Sequence, residues 1–381
     1  MLSEQIFTNA RIVTGEQVFS GTVVSRDGVI VDVTAGRSSL SSALDLQGDY
    51  LLPGLVELHT DNLEKHLSPR PGVDWPSTSA VISHDAQIVA AGITTVFDAL
   101  SIGDVNPKGK RMQQLPAMLE AIAAANAAGL TRAEHLLHLR CEVSHPDTLG
   151  VFRDLVEQPL VQLVSVMDHA PGQRQFALES KYREYYMGKY HLSPEEMERF
   201  IVEQVANSAR YADAYRSAIV ELCHARNLAI ASHDDATAAH VEESAGYGMN
   251  IAEFPTTLEA AHSCRRLGMS VLMGAPNVVR GGSHSGNVAA TDLAREGLLD
   301  ILSSDYYPAS LLQAAFMLAE PGDEQTLAQA VNTVSRTPAR AAGLTDRGEI
   351  RVGLRADLVQ ARTHGSLPVI QSVWRQGKRV F

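Results

Sequence analysis

A histidine and an aspartate stand one residue apart at the end of an apolar run in the stretch LLPGLVELHTDNLEKH, residues 51–66. In an extended strand, side chains two residues apart point to the same side of the sheet. His59 and Asp61 are therefore expected to project together from the carboxyl end of a strand. An imidazole and a carboxylate placed in this way suit a divalent metal ion.

Four more acidic or imidazole side chains close short apolar segments later in the chain, and they are Glu142, His169, His233 and Asp305. A lone histidine at a strand end is more often a hydrogen-bonded structural residue than a ligand, so the prediction rests on the whole set. Carboxylates and imidazoles together favour Zn or Mn. Two neighbouring ions need a shared carboxylate, for which Glu142 is the best candidate. We expect a divalent metal centre, with two ions per chain.

A glycine-rich stretch, MGAPNVVRGGSHSGNVAA, is the second feature that indicates chemistry. Backbone N–H groups of such a loop approach an anion closely, and charged neighbours add to the attraction. A flexible glycine turn is the alternative interpretation. The residues expected to bind the substrate lie in this stretch, near the first metal ligands or in a long basic connection: Lys65, Arg174, Lys181, Asn277, Arg280, Ser283 and His284.

The elements that position these residues follow from the pattern between residues 53 and 349. Eight short apolar segments alternate there with helical patterns, which is typical of βα units. The segments are GLVELH, ITTVFDA, HLLHLRCE, VQLVSVMDH, LAIASHDD, NIAEFP, MSVLMGAP and LLDILSSD. Eight such units predict an α/β fold, a (β/α)8 barrel with its active site at the carboxyl ends of the strands.

Residues 1–52 and 350–381 alternate apolar and polar positions instead, as β-hairpins do. Asp27-Gly28 and Gln376-Gly377 are the kind of residues that tight hairpin turns require. We therefore predict a discontinuous β-sandwich built from both ends of the chain. One connection in the barrel, residues 171–227, is far longer than the others, and Ser193 with Glu196 predicts a capped helix within it. Its basic residues and tyrosines favour a lid-like insertion, with an exposed decoration as the alternative.

Composition limits the partners. The chain has 381 residues and a formal net charge of −12, so a basic surface for nucleic acid or anionic membranes is not expected. No apolar run reaches the roughly 20 residues that span a bilayer. Three scattered cysteines fit a reducing compartment, and a cytoplasmic location is expected. A small-molecule substrate and a homodimer are the expected partners.

The segments PGLVELHTD, GITTVFD and GLRADLV resemble the strand-one motif, the second strand and the return to the terminal domain in the amidohydrolase superfamily. The resemblance covers essentially the whole chain. It implies metal ligands at the barrel rim and gives Asp305 the role of taking the proton of the attacking water. The superfamily's usual His-x-His after strand one is His-x-Asp here. The ligands of strands four to six are left open between His169 and Glu253, since the superfamily's usual ligands follow strands five and six.

Five longer stretches resemble a narrower family, the diphosphatases of the carbon–phosphorus lyase pathway that act on α-D-ribose 1-methylphosphonate 5-triphosphate. They are PGLVELHTDNLEKH, SHDDAT, EFPTTLEAA, MGAPNVVRGGSHSGN and LSSDYYPASLLQAA. The implied reaction is metal-dependent hydrolysis to the 5-phosphate and pyrophosphate, and other proteins of that pathway are possible partners. An amidohydrolase acting on a C–N bond and a non-catalytic scaffold are the alternatives. The basic loops disfavour the first, and the retained ligand set disfavours the second.

Overall fold

The computed structural model describes residues 4–106, 109–174, 179–190, 192–283, 286–320 and 322–381, with the backbone alone at Lys181 and Glu324. The chain divides into two compact units. Unit 1 comprises Met1–Asp98, Ala121–Leu136 and Met273–Phe381, and unit 2 comprises Ala99–Glu120 and Leu137–Leu272.

The strands are β1 (Glu4–Val13), β2 (Val18–Arg26), β3 (Val29–Ala35), β4 (Leu44–Asp45), β5 (Tyr50–Pro53), β6 (Leu55–Thr60), β7 (Ile93–Ile102), β8 (Glu134–Glu142), β9 (Val161–Met167), β10 (Ala229–His233), β11 (Ile251–Glu253), β12 (Ser270–Gly274), β13 (Ile301–Ser303), β14 (Leu358–His364), β15 (Leu367–Arg375) and β16 (Lys378–Arg379).

The helices are α1 (Asn62–Leu67), α2 (Ser77–Ala90), α3 (Arg111–Ala127), α4 (Thr148–Leu155), α5 (Glu179–Tyr190), α6 (Pro194–Ala225), α7 (Ala238–Gly246), α8 (Leu258–Leu267), α9 (Ala275–Arg280), α10 (Ala290–Arg295), α11 (Ser310–Leu318), α12 (Glu324–Asn332) and α13 (Arg336–Ala341).

Strands β6 to β13 form one parallel sheet in chain order, which confirms the eight predicted barrel strands. All ten residues of β7 are buried, as expected for a strand whose two faces are both covered. Thr60 of β6 forms a parallel bridge to Asp305, which lies just beyond β13. The first and last strands therefore meet, and the sheet is a nearly closed (β/α)8 barrel.

The two ends of the chain form a second eight-stranded sheet in the order β16-β15-β14-β5-β1-β2-β3, with β4 paired to β1. Strand β5 pairs with β14, in the register Leu358 to Pro53, which joins the amino-terminal strands to the carboxyl-terminal ones. The predicted turn at Asp27 and Gly28 is confirmed, with φ of 51° and 83°. On the buried face, the rings of Phe7 and Trp374 meet edge to face at 4.9 Å between centroids.

The long connection after β9 contains α5 and the 32-residue α6. The predicted capping box is confirmed: Glu196 N donates to Ser193 Oγ at 3.2 Å, and Ser193 N donates to Glu196 Oε2 at 2.7 Å. Tyr182 and Tyr186 of α5 pack against Phe200 of α6 in an aromatic cluster that also buries Met197. This insertion therefore has a hydrophobic core of its own. Within the described residues, no helix is both long and apolar enough to cross a membrane.

Candidate metal centre and substrate site

Unit 1 holds the first group of predicted ligands on adjoining backbone segments. His59 is buried near the end of β6, and Asp61 follows that strand directly. Asp305 N donates to His59 O at 3.1 Å, while Asp61 N donates to Asp305 O at 3.3 Å. Thr60 Oγ1 donates to the same Asp305 carbonyl at 2.7 Å. The three predicted ligands of this unit are therefore fixed side by side.

Two carboxylates in this group have unusual surroundings. Asp61 Oδ1 is buried and has no hydrogen-bond partner among the described residues. A buried acceptor without a donor is costly, and a cation satisfies it. Glu57 is fully buried, and its oxygens accept from His59 N at 2.6 Å and Ser304 N at 2.5 Å. Burial raises the pKa of Glu57 to about 7 despite these bonds. Glu57 thus ties the end of β6 to the residue before Asp305.

Unit 2 holds the second group, in which acidic and imidazole side chains alternate. Glu142 Oε2 lies 2.6 Å from His169 Nδ1. Asp234 Oδ2 lies 3.4 Å from His169 Nε2 and 3.5 Å from His233 Nε2. His233 Nδ1 is 3.1 Å from Glu253 Oε2. The predicted residues of this unit, Glu142, His169 and His233, therefore belong to one connected cluster, and so does the alternative Glu253.

Electrostatics in this cluster favour the charged forms of His169 and Glu142 but the neutral form of His233. Burial opposes the imidazolium form of His169, but the carboxylates of Glu142 and Asp234 outweigh it and raise the pKa of His169 to about 10. Burial likewise opposes ionisation of Glu142, yet His169 and Ser144 hold its pKa below the usual range. Burial dominates at His233 and lowers its pKa. Because a metal binds only the deprotonated imidazole nitrogen, a metal and a proton compete for His169.

Two residues near the predicted ligands, Asp234 and His138, were not predicted from the spacing. Asp234 follows His233 directly, so strand parity would turn it to the opposite face. Its left-handed backbone, φ 57°, breaks that parity and brings the carboxylate back to the histidines. His138 contacts Ser165 Oγ at 2.9 Å and Glu253 Oε1 at 3.7 Å. It lies four residues before Glu142 on the same face of β8, so parity could have found it.

Two predicted substrate residues converge on one tyrosine of unit 1. The Lys65 ammonium donates to the backbone carbonyl of Tyr306 and lies 5.3 Å from the centroid of its ring. Arg280 Nη1 lies 3.4 Å from the Tyr306 hydroxyl. Asn277 Oδ1, by contrast, accepts from Ala290 N at 3.0 Å, so its carboxamide helps to start α10. Ser283 is partly buried at the end of the glycine turn.

The remaining predicted substrate residues belong to different surroundings. His284 and the side chain of Lys181 lie outside the described residues. Arg174 is buried, pairs with Asp235, and donates from Nη2 to Glu243 Oε2 at 3.0 Å. Arg216 donates to the other oxygen of Glu243 at 3.1 Å, and both arginines line a cavity of about 280 Å³ within unit 2. The charge of Arg174 is thus already compensated by carboxylates.

A separate buried cluster of unit 1 was not predicted at all. Asp98 accepts from His84 Nε2 and from His135 Nδ1, both at 2.8 Å. His135 Nε2 contacts Asp85 at 3.3 Å, and Asn62 Nδ2 lies 3.0 Å from His84 Nδ1. An amide nitrogen only donates, so His84 Nδ1 accepts and its proton is on Nε2. Every donor finds an acceptor inside this cluster, which we call the histidine ladder.

The donor sets at the rim fit a divalent metal. His169, His233 and Asp234 offer ligand atoms within 4.8 Å of one another, and Asp61 offers an unpartnered carboxylate oxygen. Imidazole and carboxylate donors in this mixture are those of zinc and manganese sites. The ladder residues His84, Asp98 and His135 also offer ligand atoms within 4.8 Å of one another, but they are not among the residues predicted at the strand ends.

Known proteins with a similar sequence or structure identify the class of this fold. A profile described as the amidohydrolase family matches residues 266–380. The 5-methylcytosine deaminase of Klebsiella pneumoniae superposes with a TM-score of 0.65 at 15% identity, covering 99% of this chain and 98% of that chain. An N-acetyl-D-glucosamine-6-phosphate deacetylase of Mycobacterium smegmatis gives 0.64 at 16% identity, covering 99% of both chains. At these identities the likeness concerns the fold, which is that of an amidohydrolase barrel.

A much more similar relative narrows the assignment. The α-D-ribose 1-methylphosphonate 5-triphosphate diphosphatase of Escherichia coli (strain K12) is 56% identical over 377 residues, which are 99% of this chain and 100% of the relative. The chain belongs to the family of that diphosphatase. The resemblance seen in the sequence motifs is thereby confirmed.

Proposed function

We propose that this protein is a metal-dependent diphosphatase that hydrolyses α-D-ribose 1-methylphosphonate 5-triphosphate to the 5-phosphate and pyrophosphate. The observation that carries the proposal is the 56% identity to the Escherichia coli diphosphatase along the full length of both chains. The ionisable side chains at the strand ends support it, since the chain has kept a donor set suited to a divalent metal.

The proposed ligands are His59, Asp61 and Asp305 of unit 1 and Glu142, His169 and His233 of unit 2. Asp234 and Glu253 extend the second group, because both contact its histidines. When bound, two Zn or Mn ions supply a more acidic water and neutralise charge on the phosphoryl oxygens. The carboxylates and imidazoles are held in place by bonds to one another and to the backbone, so little rearrangement is needed on binding.

Asp305 is the proposed general base. Its backbone is held by hydrogen bonds to His59, Asp61 and Thr60, which fixes the position of this residue at the strand ends. In the proposed step, water oxygen attacks a phosphorus of the triphosphate and its proton passes to Asp305. The P–O bond that joins the attacked phosphorus to the α–β bridging oxygen then breaks, and that oxygen keeps the electron pair: pyrophosphate departs after attack at the α phosphorus, and the ribosyl 5-phosphate departs after attack at the β phosphorus. Attack at the α or the β phosphorus yields the same products.

The phosphate chain requires positive charge on a protein whose net charge is −12. We assign this role first to Lys65 and Arg280, because both contact Tyr306, the residue that follows Asp305. Ser283 lies at the end of the glycine turn, and His284 stays a prediction as a substrate residue. Arg174, Lys181 and Asn277 stay predictions as substrate residues, and Arg174 and Asn277 already have protein partners.

The test compares initial rates on three substrates: the ribosyl triphosphate, ATP, and a cyclic imide as a C–N substrate. Purified protein loaded with Zn or Mn is expected to release pyrophosphate from the ribosyl triphosphate with the highest kcat/KM. Phosphorus NMR of the products identifies the 5-phosphate. Faster cleavage of the imide, with no pyrophosphate released from the ribosyl substrate, would contradict the proposal and favour a C–N hydrolase.

A further inference from the structure

Tyr306 follows the proposed base directly and contacts two cations from different elements of unit 1. Lys65 of α1 donates to its backbone carbonyl and lies over its ring, 5.3 Å from the centroid. Arg280, the last residue of α9, places Nη1 3.4 Å from its hydroxyl. One residue thus gathers two positive charges next to Asp305.

Neither cation has a carboxylate partner within the described ranges of the chain. Three other basic residues are instead paired with carboxylates. Arg183 is paired with Glu179 and Glu198, and Arg174 and Arg216 share Glu243. Both side chains are exposed, so their charges are accessible to a ligand. An anion that contacts both cations is attracted by two charges.

We propose that Tyr306 is a positioning residue that holds Lys65 and Arg280 as a clamp for a chain of phosphates, and that this clamp selects triphosphate esters over monophosphate esters. The inference rests on the proposed function and deepens it. A guanidinium binds two phosphoryl oxygens in a planar fork, whereas an ammonium acts as a compact charge. Together they match an extended polyanion better than a single phosphate.

The contacts of Tyr306 separate the two arms of the clamp. The hydroxyl orients Arg280, while the ring and the backbone carbonyl orient Lys65. Tyr306→Phe therefore removes only the support of Arg280, and Tyr306→Leu also removes the aromatic face below Lys65. Tyr307 provides a matched control: it is the next residue, it is 54% exposed, and Tyr307→Phe removes a hydroxyl outside the clamp.

The experiment measures kcat and KM for the ribosyl triphosphate, together with inhibition by pyrophosphate, in metal-loaded protein. Tyr306→Phe is expected to raise KM and the pyrophosphate inhibition constant about five- to tenfold, with kcat within about twofold of the parent. Tyr306→Leu is expected to raise both constants further, and Tyr307→Phe to leave them unchanged. In the double variant Tyr306→Phe/Arg280→Ala, KM and the pyrophosphate inhibition constant are expected to be little higher than in Arg280→Ala alone, because the two residues act as one unit.

Two results would overturn the clamp. One is an unchanged KM in Tyr306→Phe when Arg280→Ala raises it, since Arg280 would then act without Tyr306. The other is a loss of kcat, metal content and melting temperature with no change in KM, which is the pattern of a structural role.

A failure of the proposed function is distinguishable from a failure of the clamp. If the parent protein releases no pyrophosphate from the ribosyl substrate, the clamp is tested by measuring the dissociation constant of pyrophosphate by calorimetry. Weaker binding in Tyr306→Phe but not in Tyr307→Phe then supports it. Equal binding in all three proteins overturns it.

Discussion

Asp305, the proposed general base, has an unusual backbone conformation. Its φ of 53° lies in the left-handed region, which aspartate and asparagine tolerate better than most residues. The motif LSSDYYP placed Asp305 at the end of the eighth strand, and the structure agrees. The sequence could not predict the left-handed backbone, because that conformation depends on pairing with His59 and Thr60, some 245 residues away.

Asp305→Asn tests the proposed base at this scale. Asparagine keeps the size and the left-handed preference of the residue, so the backbone should be preserved. We expect kcat for pyrophosphate release to fall at least about 100-fold, since an amide cannot accept the proton. KM should change little. Metal content, measured by mass spectrometry on the same samples, is the control. A variant that keeps both its metal and more than a tenth of the parent kcat would rule out the base role.

Only part of the second group of predicted ligands, in unit 2, could be predicted from the spacing of residues along single strands. Glu142, His169 and His233 each close an apolar segment and were found by spacing alone. Asp234 joins His169 and His233 only because its φ is 57°, and Glu253 reaches His233 only through the register of β10 with β11. Both depend on tertiary pairing, which a pattern along one strand does not contain.

At the scale of elements, the histidine ladder connects three parts of unit 1. His84 and Asp85 come from α2, Asp98 from β7 and His135 from the start of β8. Asp85 also accepts from the backbone N–H groups of Arg132 and Ala133 at 2.8 and 2.9 Å. The ladder is therefore a polar core that fixes a helix against two strands, and Asn62 extends it to α1.

Because of the histidine ladder, we expect the folded protein to lose stability at alkaline pH. Burial opposes the charge of His135, but Asp98 and Asp85 outweigh it and raise its pKa to about 9. Because this folded-state pKa is higher than the unfolded value of about 6.5, protonation of His135 stabilises the folded protein. The stabilisation is complete below a pH of about 6.5 and is lost as the pH rises through 9. The lost free energy of unfolding is on the order of 3 kcal/mol.

His135→Gln is the matched variant, because glutamine keeps a hydrogen-bonding side chain without a titrating charge. Melting temperatures of parent and variant are compared at pH 7 and pH 10. The parent is expected to melt at a higher temperature than the variant at pH 7, and this difference in melting temperature is expected to be smaller at pH 10. A gap that stays constant across this range would show that His135 is not charged in the folded protein.

The insertion after β9 was predicted only in outline. Ser193 and Glu196 revealed the start of α6 because a capping box is a local signal. The aromatic cluster of Tyr182, Tyr186 and Phe200 was not predicted, since it arises from packing between α5 and α6. The basic residues of this connection favoured a lid, yet one of them, Arg183, pairs with Glu179 and Glu198. Charge along a sequence therefore indicates an anion site less reliably than charge left unpaired in the fold.

At the scale of the whole molecule, the barrel and the terminal sheet were both predictable. Each of the eight parallel strands overlaps one of the predicted apolar segments, and both tight turns lie at the expected pairs of residues. These features are encoded locally, by periodicity and by turn residues. A homodimer and contacts with other proteins of the pathway depend on surfaces between chains, and they stay predictions.

The overall charge of −12 is compatible with a polyanionic substrate only if metal ions and unpaired cations provide a local positive site. Metal dependence is therefore the central claim. Its direct test is pyrophosphate release from the ribosyl triphosphate before chelation, after chelation and after return of Zn or Mn, with bound metal counted at each stage. We predict loss of release with loss of metal, and recovery of both together at two ions per chain. Undiminished release from protein shown to be free of metal would contradict the account.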